Sequence, residues 1–174
     1  MQVRGLLGMG FTYTALPTVE FKKVMGALPA GVSIVTATAR DGAPVGMTVS
    51  AVSSVSLDPP LLLVCIEKGK YTLETIKSSG AFCLNILSRD GIELARKFAT
   101  KIEDKFSEVD YRREGSLGPI LNATSAYAEC CVHQIVPAGD HEIVIGKVLR
   151  GRLNNADPII YCHGKLRGDI SLSS

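Results

Sequence analysis

The chain reads as a mainly β protein, an antiparallel Greek-key barrel with a few short helices, on three observations. Strand-length runs rich in β-branched and apolar residues recur between Gly, Pro, Asn and Asp turn signals from Gly31 to Leu166. Only three segments carry the apolar spacing of a helix, and they do not alternate with strands as a parallel sheet requires. No period repeats along the chain, which sets solenoids and propellers aside.

Composition bounds what such a barrel can do. A chain of 174 residues is enough for one domain with a sizeable core. Hydrophobic residues supply 46% and charged residues 21%, so part of the surface is expected to be covered by a second subunit. The 19 basic and 17 acidic residues are interspersed, and nucleic acid is not an expected partner. No stretch approaches the roughly 18 apolar residues of a membrane span. Five cysteines, Cys65, Cys83, Cys130, Cys131 and Cys162, form no CxxC pair and sit beside no histidine at metal-ligand spacing. They read as small core residues in a reducing cytoplasm, and no metal site is expected.

Residues 1–17 read as an N-terminal extension, expected to be partly disordered, ahead of a domain over residues 18–170. Pro17-Thr18 opens a capped helix whose Phe21, Val24, Met25 and Leu28 fall at i, i+3, i+4 and i+7. GVSIVTATA and VGMTVSAVSSVS follow as two strands joined in a hairpin at Asp41-Gly42. The stretch Gly46 to Pro60, GMTVSAVSSVSLDPP, is unusual, because four serines and a threonine stand where a strand should be oily.

Pro59-Pro60 then turns the chain into LLLVCIE, a short apolar run that predicts a buried strand. Tyr71 to Lys77 reads as a short helix, AFCLNIL as a strand, and Ser88-Arg89-Asp90 as the cap of a helix over GIELARKFA. Lys101 to Pro119 is polar and reads as mostly loop. SAYAECCVHQIVP and HEIVIGKVLRGRL pair across Ala138-Gly139-Asp140, and DPIIYCHGKL is the final strand, making about seven in all.

Several familiar motifs fail on spacing. Gly69-Lys70-Tyr71-Thr72 lacks the first glycine of a phosphate loop, Gly31 to Val35 lacks the second glycine of a nucleophile elbow, and no GxGxxG opens a helix. His133, His141 and His163 lie in strand-like segments without metal spacing. His141 differs from the others: it follows Gly139-Asp140, where a side chain projects at a barrel mouth.

The ordered set GVSIVTA, GMTVSAVSSVSLDPPLLLV, AFCLNIL, Asp104-Lys105-Phe106, Gly139-Asp140-His141 with Gly146-Lys147-Val148, and Pro158-Ile159-Ile160-Tyr161 resembles the flavin reductase-like family. These are the small reductases that supply reduced flavin to two-component monooxygenases. The resemblance runs from about Phe21 to Leu166. It implies a homodimeric FMN-binding split barrel that oxidises NADH or NADPH and reduces FMN or FAD, serving a partner monooxygenase through diffusible reduced flavin.

The resemblance also implies a site. Gly46, Met47, Thr48, Val49, Ser50, Ala51, Ser53 and Ser54 would run along the flavin, with Asn85 nearby and Tyr161 among the cofactor-binding residues. Lys105 and Phe106 would close over the phosphate side, and Asp140 and the catalytic His141 would meet the nicotinamide. Lys70 departs from the pattern, since the family often has serine there.

Such chemistry suits a chain without paired carboxylates or a triad. Hydride transfer between nicotinamide and flavin asks the protein to stack two rings and to stabilise negative charge on the reduced flavin, not to supply a nucleophile. Small residues at Gly46, Ser50, Ala51, Ser53 and Ser54 would let backbone approach the ring edge. On residues alone, SAVSSVS is also an edge strand whose serines face water. Two other readings use the same barrel: a non-catalytic flavin carrier, and a pyridoxamine-phosphate-oxidase-like flavoenzyme. The second calls for a cluster of basic residues at the substrate phosphate, and none stands out along the chain.

Overall fold

A computed structural model describes residues 2–4, 10–12, 14–113 and 117–168. The expected disorder of the extension falls largely outside these residues, as does the end of the domain at 169–170; within them β1 (Gln2–Arg4) pairs antiparallel with β2 (Gly10–Thr12). There follow α1 (Thr18–Gly26), β3 (Ala30–Gly31), β4 (Ser33–Thr38), β5 (Pro44–Val49), β6 (Val52–Leu57), β7 (Pro60–Glu67), α2 (Tyr71–Ser79) and β8 (Ala81–Leu87). A 3-10 turn over Arg89–Gly91 leads into α3 (Ile92–Ala99). The chain ends with β9 (Tyr111–Arg112), β10 (Ile120–Leu121), β11 (Thr124–Ala138), β12 (His141–Leu153), β13 (Ile160–Cys162) and β14 (Lys165–Arg167).

Seven strands form one antiparallel sheet in the order β5-β4-β8-β11-β12-β7-β6. Its two edges, β5 and β6, are consecutive in the chain and separated by only Ser50 and Ala51. VGMTVSAVSSVS is therefore not one strand, as its composition suggested, but two strands meeting at a corner. The Ser50 carbonyl accepts the Val52 amide at 3.1 Å and the Ala51 carbonyl accepts the Cys65 amide at 2.9 Å, so the corner carries one sheet edge over to the other and closes the barrel. The double proline turns the chain as expected, with Leu57 opposite Pro60.

Alternation along the strands divides the apolar side chains between two cores. Val35, Val45, Val49, Val64, Phe82 and Val144 fill the barrel, and Leu73 and Ile76 of α2 reach in among them, both fully buried. Each such side chain contributes about 1.5–3 kcal/mol by its removal from water. Ile34, between the inward Val35 and Ser33, faces outward into a second core with Val32, Leu87, Ala95 and Phe98, which fastens α3 to the outside of the barrel. β7 alternates in the same way: Leu62, Val64 and Ile66 are buried while Leu61, Leu63 and Cys65 are half-buried, so its continuous apolar run did not mean burial on both faces.

Other elements depart from expectation. α1 has the predicted spacing but no side-chain cap and no buried residue, so Phe21, Val24, Met25 and Leu28 face outward. Ser88 does not cap α3 with its hydroxyl; the 3-10 turn intervenes and Gly91 is the N-cap. The end of the polar segment is core, because Gly118 and Pro119 are buried and a Cβ on Gly118 would come 2.7 Å from the Thr36 carbonyl oxygen. The last predicted strand is a hairpin of its own, β13–β14, turning at His163 and Gly164 with φ 49° and 75° and pairing with β3. His163 thus lies in a turn. No helix among the described residues is long and apolar enough to cross a membrane.

Candidate active site

A cleft of about 710 Å³ opens where β5 ends. Thr48, Val49 and Ser50 form one wall, Ala95, Arg96 and Ala99 of α3 a second, and Tyr161, Gly164, Lys165 and Leu166 of the β13–β14 hairpin a third, with Val32 completing the lining. Apolar and small residues from three elements meet two cations, Arg96 and Lys165. That combination suits a planar ring with an anionic tail.

The strand pleat decides which side chains of β5 face the barrel core and which face α3. Val45 and Val49 are buried in the barrel core with Met47 packed against them, whereas Gly46 and Thr48 face α3. A Cβ on Gly46 would lie 2.9 Å from Cε1 of Phe98, so the packing of that ring by itself calls for glycine there. The Thr48 hydroxyl donates to the Ala95 carbonyl at 2.7 Å and ties the strand to the helix. Ser50, one residue past the strand, is exposed.

Lys105 folds back on the same strand, its Nζ donating to the carbonyls of Phe98 at 2.9 Å and Gly46 at 3.4 Å. Burial pulls the pKa of this ammonium below its ordinary value, and the positive charge of Lys70 pulls it further. Lys70 sits at the N-cap of α2 and pairs with Glu67 at 2.8 Å. Glu67 in turn stands opposite His141 in the β7–β12 ladder, and His141 Nδ1 lies 2.7 Å from Asp140 Oδ1. This contact holds the Asp140 carboxyl below the usual carboxylate range, and Lys70 does the same for Glu67. A line of charges thus runs from the tip of the β11–β12 hairpin to the middle of β5.

The residues inferred for the site are therefore dispersed. Thr48, Val49, Ser50 and Tyr161 meet in the cleft; Lys105 stands further back along β5, and Asp140 and His141 lie at the hairpin tip outside the lining. Ala51 at the corner and Ser53 and Ser54 beyond it are exposed, with Ser53 Oγ donating to the Ser54 carbonyl at 3.0 Å. Phe106 is half-buried between Phe98 and Tyr111 in edge-on ring contacts at 5.0 and 5.2 Å. Asn85 is corrected outright: it is fully buried and its amide is engaged by Ile34, Thr36, Pro119 and Leu121, so it offers no atom to a ligand.

Arg96, Gly164 and Lys165 went unrecognised as lining residues. The pattern that could have revealed them was the pair Ala95 and Ala99, one helical turn apart on a face kept small, and the His163-Gly164 dipeptide typical of a tight hairpin. The buried cysteines are no nucleophiles, since burial pushes the Cys130 thiol up to about 12 and raises that of Cys83 as well. All five are free thiols, and among the described residues no group of three His, Cys, Asp or Glu could hold a metal ion.

Comparison with known proteins gives this geometry a context. Residues 25–168 match the flavin reductase like domain. The NADH flavin reductase of Kitasatospora aureofaciens is 42% identical over 146 residues, covering 81% of this chain and 76% of the relative. The reductase subunit of stachydrine N-demethylase from Rhizobium meliloti is 37% identical over 143 residues, covering 82% and 62%. Another Rhizobium meliloti relative, 38% identical, is matched over 46% of its length, so the chain spans about half to two thirds of these two proteins. Among solved structures, the NADH:FAD oxidoreductase of Streptomyces globisporus in complex with NAD and FAD fragments superposes with a TM-score of 0.84 at 30% identity, over 90% of this chain and 94% of that one. The flavin reductase PheA2 in its native state superposes with a TM-score of 0.80 at 35% identity, over 87% and 97%.

Proposed function

The chain belongs to the flavin reductase-like domain family, and from that membership we propose that it is an NAD(P)H:flavin oxidoreductase that reduces FMN or FAD for a partner monooxygenase. The observation that carries the reading is the cleft at the end of β5, with small and apolar walls for a ring and Arg96 and Lys165 at its rim. Reductase components of monooxygenases recur among the relatives, including that of a 4-nitrophenol monooxygenase from Rhodococcus opacus, which supports a role as supplier of diffusible reduced flavin.

The flavin supplies the redox chemistry when bound, accepting the hydride of the nicotinamide. What the chain contributes is placement. Ser50 stands exposed at the mouth and Thr48 is fixed against α3, so the ring edge meets a rigid corner. Gly46, where Lys105 sits, is four residues back along an extended strand, about 13 Å at the rise of a strand. That separation is on the scale of a flavin ring and its phosphate. Lys105 and Lys70 would hold the phosphate, whose negative charge would offset the burial and, to a lesser degree, the Lys70 charge that lower the Lys105 pKa. His141, held by Asp140, positions the nicotinamide from the hairpin tip and exchanges no proton in the hydride step.

The same reading includes a homodimer in the cytoplasm. Its support is the apolar face that α1 leaves outward, with Val19, Phe21, Val24 and Met25 all at least 45% exposed, together with Leu149 and Leu153 of β12. Five free thiols accord with a reducing compartment. The test of the activity is to mix the purified protein with NADH or NADPH and with FMN, FAD or riboflavin and to follow nicotinamide absorbance. Turnover is expected; a protein that binds flavin but turns over no combination is a carrier.

A further inference from the structure

A second cleft, of about 800 Å³, lies on another face of the barrel and shares no lining residue with the first. It is built by strand register. In the β11–β12 ladder Tyr127 stands opposite Arg152 and Glu129 opposite Arg150, and cross-strand partners project from the same face. Arg112 of β9 comes over this face from a third strand, its guanidinium 5.6 Å from the centre of the Tyr127 ring. Arg113 lines the same cleft, and Arg112 and Arg152 continue it into an adjoining one of about 450 Å³. Arginines far apart in sequence are thus gathered into the basic cluster that did not stand out along the chain.

Among the described residues that line the two clefts, cationic side chains outnumber carboxylates. Four guanidinium groups, of Arg112, Arg113, Arg150 and Arg152, face the two carboxylates of Glu129 and Asp90. Glu129 is almost fully buried and already engaged, accepting from the Leu117 amide at 2.8 Å and from Arg150 at 3.1 Å. Its charge is therefore compensated within the fold and does not screen Arg112 and Arg152. Planar guanidinium groups held by a ring and a ladder are the donors that match phosphate oxygens two at a time.

We propose that the cleft lined by Arg112, Tyr127 and Arg150, with Arg152 where it continues into the adjoining one, is a second ligand site, which takes a phosphoryl anion, either free or as the phosphate tail of a nucleotide. The site does not rest on the flavin reading, and its occupancy involves no residue of the cleft at the end of β5. Its volume falls within the roughly 300–1,000 Å³ of small-molecule sites.

Isothermal titration of the whole chain at low salt with ADP, and separately with inorganic pyrophosphate, tests it. In R112Q/R152Q, ADP should bind about tenfold or more weakly than in the parent, the loss of one or two charge-assisted contacts. Binding to the parent should also weaken as salt rises. Melting temperature and nicotinamide-driven flavin reduction should stay unchanged, which separates this site from the flavin cleft. Binding of both probes identifies the phosphoryl group alone as the ligand, and binding of ADP only identifies a nucleotide; either supports the site. No binding of either probe, or equal ADP affinity in R112Q/R152Q and the parent, overturns it. If the double substitution lowers the melting temperature, S50W serves instead: ADP binding that disappears when only the flavin cleft is blocked also overturns the proposal.

Discussion

The side-chain amide of Asn85 donates to the hydroxyl of Thr36 at 3.0 Å, and that hydroxyl donates onward to the Pro119 carbonyl at 2.6 Å. Asn85 Oδ1 also accepts the Leu121 amide at 2.8 Å, so one buried side chain joins β4, β8 and the segment entering β10. Replacing Asn85 by Leu leaves the Leu121 amide and several carbonyls without their partner in a dry site, at a cost of about 2 kcal/mol or more. Denaturant unfolding should show that loss. A variant of parental stability with weakened flavin binding would instead return Asn85 to the cofactor site.

Lys70 raises the electrostatic cost of charging Lys105. The folded pKa of Lys105 lies below its unfolded value, so the penalty is fully present below the folded pKa and is relieved as pH rises from it toward the unfolded pKa. Substituting Lys70 by Ser should move the Lys105 titration upward, readable by NMR of the labelled lysine side chain. FMN affinity should fall about fivefold, the ~1 kcal/mol of a partly exposed ion pair, while riboflavin affinity stays as it was. Equal loss for both flavins would show that Lys70 does not meet the phosphate.

His141 is expected to act on the nicotinamide and not on the flavin. His141→Ala should slow NADH-driven reduction by about ten- to hundredfold through misplacement of the donor, with the FMN dissociation constant nearly unchanged. The Asp140 carboxyl should titrate at higher pH in this variant, because its hydrogen bond to the imidazole is the main cause of its lowered value. An unchanged rate removes His141 from the reaction.

The outward face of α1 predicts association. Phe21→Asp with Val24→Asp places two charges where the dimer reading requires apolar contact, and sedimentation should shift from dimer to monomer. A parent chain that sediments as a monomer contradicts the reading.

The barrel was legible because strand-length apolar runs and turn dipeptides are local signals, as in the run of β8 and at Gly139-Asp140. The corner at Ser50-Ala51 was not, since nothing in VGMTVSAVSSVS marks where a strand leaves one sheet edge for the other; closure of the barrel decides it. Of the serines between Gly46 and Pro60 only Ser50 lines the cleft, because β6 carries Ser53 and Ser54 away. Gly46 is a place of close approach, and the group that approaches it is the Phe98 ring. Arg96 and Lys165 are brought in from α3 and the β13–β14 hairpin by tertiary packing, which a single sequence does not display.

The most direct test of the flavin cleft is the FMN dissociation constant of Ser50→Trp, read by flavin fluorescence. Ser50 is exposed and a larger side chain there leaves the core intact, so the melting temperature should not change. Filling the mouth of the cleft should weaken FMN binding by about tenfold or more, the effect of excluding a ring from its contact surface. An unaltered dissociation constant in a fully folded variant would contradict the assignment of this cleft to the flavin.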